Sequence, residues 1–220
     1  MRLTRHGHSC VRLEEGGRVL VIDPGSFSDL PAALEGADAV LVTHEHADHI
    51  DADVVLEWLA GADGVLLHGP SSVVDALRGH PLGPAVERRL RTLGPGERFE
   101  AAGFDVLAQG GQHALIHPHI PLVANLGYVV DGVLYHPGDS FIVPDAPGIR
   151  ILLVPLHAPW SKLAEVLDFV VAVRAGLAVP IHDGLLNERG LALADAHVGR
   201  IAARYGLGFR RLEPGEVLEV

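Results

Sequence analysis

Residues 43–51 read Thr-His-Glu-His-Ala-Asp-His-Ile-Asp, a stretch that packs His44, His46, Asp48 and His49 into six positions. Imidazole and carboxylate groups are ligands for divalent cations. In an extended segment residues i and i+2 face the same side, so His44 and His46 can grip one ion. Asp48 and His49, beyond a turn, can face a second point a few ångströms away, and the pattern suits two adjacent cations. It is not the helical zinc motif H-E-x-x-H, because the residue four positions after His44 is Asp48. A merely solvated polar turn would not call for this density of histidine and aspartate.

Such groups need rigid elements to aim them. Six apolar runs each lead, at once or within a few residues, to a His or an Asp: VLVI to Asp23, AVLVT to His44, FDVLAQGGQ to His113, VLYHPG to Asp139, ILLVPL to His157 and LAVPI to His182. In layered α/β architectures ligands bind beyond one end of the strands, where loops present side chains held by the sheet. Short Val-, Ile- and Leu-rich runs predict strands at 9–13, 18–22, 39–42, 64–67, 104–108, 125–130, 133–135, 151–154 and 177–181. Leu163, Val166, Leu167, Val170 and Val171 form a helical stripe, as do Ala194, His197, Val198, Ile201, Ala202 and Tyr205. A third helix is expected after Asp51, a suitable N-cap.

Composition narrows the function. The chain has 220 residues, 48% hydrophobic and 20% charged, which fits one folded α/β domain and excludes disorder and coiled coil. A net charge of −11 argues against a long nucleic acid as partner. The single cysteine, Cys10, leaves no internal disulfide and no thiolate metal site, and it reads as a small packing residue. With no apolar region behind the basic start, and no run approaching the ~18 residues of a membrane span, the expectation is a cytoplasmic protein without a membrane partner. Fourteen histidines outweigh the aromatic residues and return attention to metal binding.

Taken in order, RHGHS (5–9), VLVIDPG (19–25), HEHADH (44–49), GGQHA (110–114), YHPGDS (135–140) and AVPIHDG (178–184) resemble the successive landmarks of the metallo-β-lactamase superfamily. Within it they resemble the metal-dependent hydrolase branch related to L-ascorbate-6-phosphate lactonase. The resemblance implies a four-layer αβ/βα sandwich filling residues 1–220 as one domain. It implies a first metal site of His44, His46 and His113, a second of Asp48, His49 and His182, and Asp139 bridging the two. His117 and His119 compete with His113, which follows its strand through flexible Gly110 and Gly111. Seven nitrogen and oxygen ligands suit Zn²⁺ first and Mn²⁺ next, with Fe²⁺ and Ni²⁺ also compatible.

The activity so implied is hydrolysis of a small ester, lactone or phosphoester by a hydroxide generated at two cations. Asp48 and Asp139 would be the catalytic carboxylates and Asp23 a buried acceptor orienting the metal loop. His8, His157 and Trp160 are expected to line the substrate pocket, although His157 stands where this branch has Gly. The alternatives are iron-dependent redox chemistry, a small phosphodiesterase or nuclease, and a non-catalytic binding module. His46 replaces the Glu of the flavin-linked di-iron branch, and all seven ligands are present, which disfavours redox and eroded-module readings. Only forty-two residues separate Asp139 from His182, too few for the extra domain of large RNA-processing members. The family implies homo-oligomers without fixing a number.

Overall fold

The computed structural model describes all 220 residues. The chain runs β1 (Arg2–Arg5), β2 (Val11–Glu15), β3 (Arg18–Ile22), α1 (Leu30–Leu34), β4 (Ala39–Leu41), α2 (Ala52–Gly61), β5 (Leu66–Gly69), α3 (Ser71–Arg78), α4 (Pro84–Glu87), β6 (Leu90–Thr92), β7 (Arg98–Ala101), β8 (Phe104–Gly110), β9 (Leu126–Val130), β10 (Leu134–His136), β11 (Ile151–Pro155), α5 (Leu163–Val173), β12 (Leu177–Ile181), α6 (Glu188–Arg204), β13 (Gly208–Phe209) and β14 (Val217–Glu219). All nine expected strands are present, β2 and β5 each starting two residues later than their apolar runs suggest. The three expected helices are α2, α5 and α6, and the Asp51 carboxylate caps α2 by accepting the Val54 N–H at 3.2 Å.

Seven strands form one sheet in the order β14-β1-β2-β3-β4-β5-β6, and seven form another in the order β13-β12-β11-β10-β9-β8-β7. Alternation along the strands decides the layering. Leu20 and Ile22 of β3 face inward, with Leu13, Leu41, Val106, Tyr128, Leu153 and Ile181, into a core shared by both sheets. Val19 and Val21, one residue out of phase, face outward and pack under α1, α2 and α3 through Leu34, Val55, Leu59 and Val74. On the far side Leu152, Val154 and Ala178 pack under Val166, Phe169 and Val170 of α5 and Ala194 and Val198 of α6. The result is helices, sheet, sheet, helices, the four-layer αβ/βα sandwich.

The two sheets are tied together at one edge. The Leu126 N–H donates to the Thr43 carbonyl at 2.9 Å, and the buried Tyr128 hydroxyl donates to the Val42 carbonyl at 2.7 Å. Both bonds cross from the second sheet to the residues immediately after β4, where the histidine-rich segment begins. No helix is long and apolar enough to cross a membrane.

Elsewhere between the sheets, His68 of β5 is buried against Phe99 of β7, with ring centroids 4.9 Å apart and planes at 25°. Neither ring nitrogen has a hydrogen-bond partner. Burial, helped by Arg91, pushes its pKa from 6.5 down to about 4. The unfolded chain takes up a proton near pH 6.5 that the folded chain refuses until about 4, so this residue's contribution to stability is complete above pH 6.5 and lost as the pH falls toward 4. A difference of that size corresponds to about 3 kcal/mol. In denaturant titrations of metal-free protein, His68→Leu should therefore lose about 3 kcal/mol less than wild type between pH 7.5 and 4; equal losses would place the acid sensitivity elsewhere.

Candidate metal centre

Strand ends deliver the site. Asp23 follows β3, His44 lies just beyond β4, His113 follows β8, Asp139 follows β10 and His182 follows β12. Asp23 (φ 54°), His182 (φ 53°) and His8 (φ 42°) adopt left-handed backbone, which turns each side chain abruptly out of its strand direction. The ligand atoms of His44, His46, His113 and Asp139 all lie within 4.8 Å of one another, and so do those of His8, Asp48, His49 and His182.

Hydrogen bonds fix the proton positions on the rings. The Asp23 carboxylate, wholly buried, accepts the Thr43 N–H at 2.7 Å, the Thr43 hydroxyl at 2.8 Å and His49 Nδ1–H at 2.7 Å. Because the Thr43 proton goes to Asp23, its oxygen can accept His44 Nδ1–H at 3.0 Å. His113 Nδ1–H donates to the Ala114 carbonyl at 2.5 Å, and His182 Nδ1–H to the His157 carbonyl at 2.7 Å. In all four rings Nδ1 is thereby committed and Nε2 is the nitrogen turned toward the site, the tautomer a cation needs. His46 instead turns Nδ1 to within 3.0 Å of His44 Nε2.

Asp139 sits between the clusters. One carboxylate oxygen is 3.1 Å from His49 Nε2, and the other is 3.1 Å from His182 Nε2 and 3.3 Å from His113 Nε2. None of these contacts has hydrogen-bond alignment: Nε2 of His49, His113 and His182 and Oδ1 of Asp139 are all buried without a partner. Orphaned polar atoms in such numbers are costly, and a cation in each cluster would satisfy them. Burial opposes charge on His49, yet Asp139 and Asp23 outweigh it and raise its pKa well above 6.5, so a cation entering this cluster has to displace a proton from His49 Nε2. Burial, with His49 nearby, drives His44 well below its usual range and keeps it neutral.

The turn carrying Asp139 is held by neighbours that the sequence did not single out. Asn125 Oδ1 accepts the Asp139 N–H at 2.9 Å, and its amide donates to the Pro137 carbonyl at 2.9 Å. A Cβ on Gly138 (φ 61°) would lie 2.3 Å from Asn125 Oδ1 and 2.7 Å from Thr43 Cβ, so only glycine lets the turn pack this closely. A buried Asn and Thr beside glycine are the available signal, and short polar side chains at strand ends are too common to read alone.

The three residues expected to line the pocket have separate positions. Trp160 lines a cavity of about 310 Å³ above the clusters, with His46, Asp48, His113, Asp139 and His182, and its indole N–H donates to Asp139 at 2.9 Å. His157 is exposed, its side chain does not line that cavity, and its carbonyl is what orients His182. His8 is buried behind Asp48. Its Nδ1 accepts the Gly184 N–H at 3.0 Å, so Nε2 carries the proton and donates to Asp48 at 3.2 Å. That tautomer makes His8 a donor to Asp48 and leaves no free lone pair for an ion. Burial raises the pKa of Asp48, but the His8 hydrogen bond, with His49 and His182, outweighs it and holds the carboxyl down at about 2.

His182 is also braced from behind. Asp183 is paired with Arg5 of β1 and with Arg211, and Arg211 makes a bidentate bond to Asp195 of α6 at 2.5 and 2.6 Å. Arg5, 4% exposed, further donates to the Leu212 carbonyl at 2.9 Å.

A sandwich of this topology with two histidine- and aspartate-built clusters at one edge is the architecture of a metallo-β-lactamase-type protein. Residues 2–182 match the family model for the β-lactamase superfamily domain, and the chain belongs to the metallo-β-lactamase superfamily. It is 36% identical over 198 residues to protein Rv0786c of Mycobacterium tuberculosis, covering 87% of this chain and 89% of that one. It is 28% identical over 241 residues, end to end on both chains, to a UPF0173 metal-dependent hydrolase of Geobacillus. Among solved structures, the metallo hydrolase Igni18 of Ignicoccus hospitalis superposes with a TM-score of 0.72 at 20% identity, over 99% of this chain and 97% of that one. At that identity the last match speaks for the fold alone.

Proposed function

We propose that the protein is a metal-dependent hydrolase with two divalent cations, Zn²⁺ first and Mn²⁺ next, cleaving a small ester, lactone or phosphoester. The observation that carries this reading is the set of buried, partnerless Nε2 atoms of His49, His113 and His182 converging on Asp139. The name metal-dependent hydrolase borne by the Geobacillus relative supports the reaction class. When bound, two divalent cations would supply a hydroxide nucleophile at neutral pH and polarise the scissile bond.

The chain's own groups have distinct tasks. Asp139 sets Oδ1 beside His49 and Oδ2 beside both His113 and His182, and the Trp160 N–H holds Oδ2 in place. Both carboxylates line the cavity, and Asp48 is the more open of the two, its side chain 26% exposed against 4% for Asp139. It stays ionised, and His8 pins one of its oxygens, so the other can accept a hydrogen bond from the attacking water and orient it. Trp160, Pro159 and Ile116 narrow the cavity and limit bulk water around the reacting bond.

Elemental analysis after saturation and desalting should find about two divalent ions per chain, because seven candidate ligands exceed what one tetrahedral or octahedral ion uses. A plateau at one ion or fewer would overturn the dinuclear reading. Turnover of a mixed panel of esters, lactones and phosphoesters by the loaded protein tests the reaction class.

A further inference from the structure

We infer that the substrate is an uncharged ester or lactone bearing an apolar acyl or alkyl group, and not a phosphoester; this rests on the hydrolase reading above and names its substrate class. The loops that position the metal-facing groups each add an apolar side chain to the same cavity. Phe27 lies four residues after Asp23, Ile116 three after His113, and Leu185 three after His182, while Pro159 and Trp160 come from the loop whose carbonyl orients His182. Phe27 and Leu185 are large, apolar and about half exposed, at 49% and 55%. Phe27 sits edge-on to His8, with centroids 5.2 Å apart, so it is seated at the wall behind Asp48.

The charge pattern points the same way. No Lys or Arg lines the cavity. The guanidinium groups of Arg5 and Arg211 are committed to Asp183 behind His182. Lys162, the one lysine, has its ammonium 3.7 Å from Glu165 with its side chain 83% exposed. A phosphomonoester would bring three terminal oxygens to two cations, and sites that bind phosphate usually add Arg, Lys or clustered backbone N–H groups for them. Here those oxygens would meet Phe27, Ile116 and Leu185. A volume of about 310 Å³ lies at the lower end of small-molecule pockets, which suits a short chain.

The test is a series sharing one leaving group: p-nitrophenyl acetate, butanoate and pentanoate, with p-nitrophenyl phosphate and bis-p-nitrophenyl phosphate alongside, on metal-loaded protein. Burying a methylene contributes about 0.8 kcal/mol, or up to about fourfold. The kcat/KM should therefore rise some tens-fold from acetate to pentanoate, and both phosphate esters should be cleaved at least a hundredfold less well than pentanoate. Phe27→Ser and Leu185→Ser should flatten the rise. A flat or falling series, or preference for either phosphate ester, overturns the inference while leaving the hydrolase reading standing. If no ester, lactone or phosphoester turns over, the hydrolase reading fails instead. Ligand-observed NMR of acetamide, butanamide and pentanamide on metal-free protein then decides the cavity's preference: tightening with chain length that Leu185→Ser removes supports the apolar subsite, and constant affinity overturns it.

Discussion

Asp139→Asn should yield a folded protein that retains at most one divalent cation per chain and hydrolyses its substrate slower by orders of magnitude. The carboxylate lies 3.1 Å from Nε2 of both His49 and His182 and 3.3 Å from that of His113, so its charge is shared by both halves of the site. Two dications ~3.5 Å apart repel by roughly 5 kcal/mol even at the dielectric constant of water, and more where water is excluded. Asparagine keeps the size and can still accept the Trp160 N–H, but it removes the negative charge that offsets this repulsion. Circular dichroism should be unchanged, elemental analysis should lose an ion, and kcat should collapse. Two retained ions with near-normal kcat would mean that Asp139 is only a turn residue after Pro137 and Gly138, and the bridging role would pass to Asp48.

Gly25→Ala should be nearly as damaging, without touching any group that meets a cation. A Cβ there would lie 1.9 Å from the Asp48 carbonyl oxygen, 2.1 Å from its carbon and 2.5 Å from the His49 nitrogen. All three are backbone atoms, so no rotamer change relieves the clash, and either the 23–25 segment or the Asp48 turn has to move. A displacement of about 1 Å at a reacting centre can cost about a hundredfold in rate. Metal affinity and kcat should both fall by two orders of magnitude or more, with a lowered melting temperature. Gly83→Ala, whose Cβ would meet nothing within 4 Å, is the control and should leave metal affinity and kcat unchanged. Normal metal binding by Gly25→Ala would show that the two segments are free to separate.

The sequence made these groups legible to different degrees. Runs such as VLVI and ILLVP are apolar along their whole length because both faces of their strands are covered, and they stand out at once. The strands β6 (LRT), β7 (RFEA), β13 (GF) and β14 (VLE) are short and lie at or near sheet edges; too few apolar residues alternate in them to signal a strand. The candidate ligand motif was legible because four side chains of types that can bind metal fall within six residues. Its support was not. His8 was expected against substrate, but its role is set by Gly184 and Asp48, 176 and 40 residues away. His157 was noticed for its imidazole, whereas its peptide carbonyl is the group that reaches the site. Backbone acceptors carry no sequence signature, since every residue has one.

The clasp that joins Arg5, Asp183 and Arg211 also bears on how the site can come into being during synthesis. Strand β1 pairs with β14, Leu3 opposite Leu218, and Asp183 is gripped from one side by residue 5 and from the other by residue 211. A nascent chain that has emerged as far as His182 holds every candidate ligand, yet it lacks the partner strand of β1 and half of the brace behind its last histidine. Contacts separated by most of the chain form late, because a large loop must close before they repay its entropy. Ion capture by the complete centre would thus be coupled to the pairing of β14 with β1, and an early-bound cation would sit in a partial site that can still exchange it.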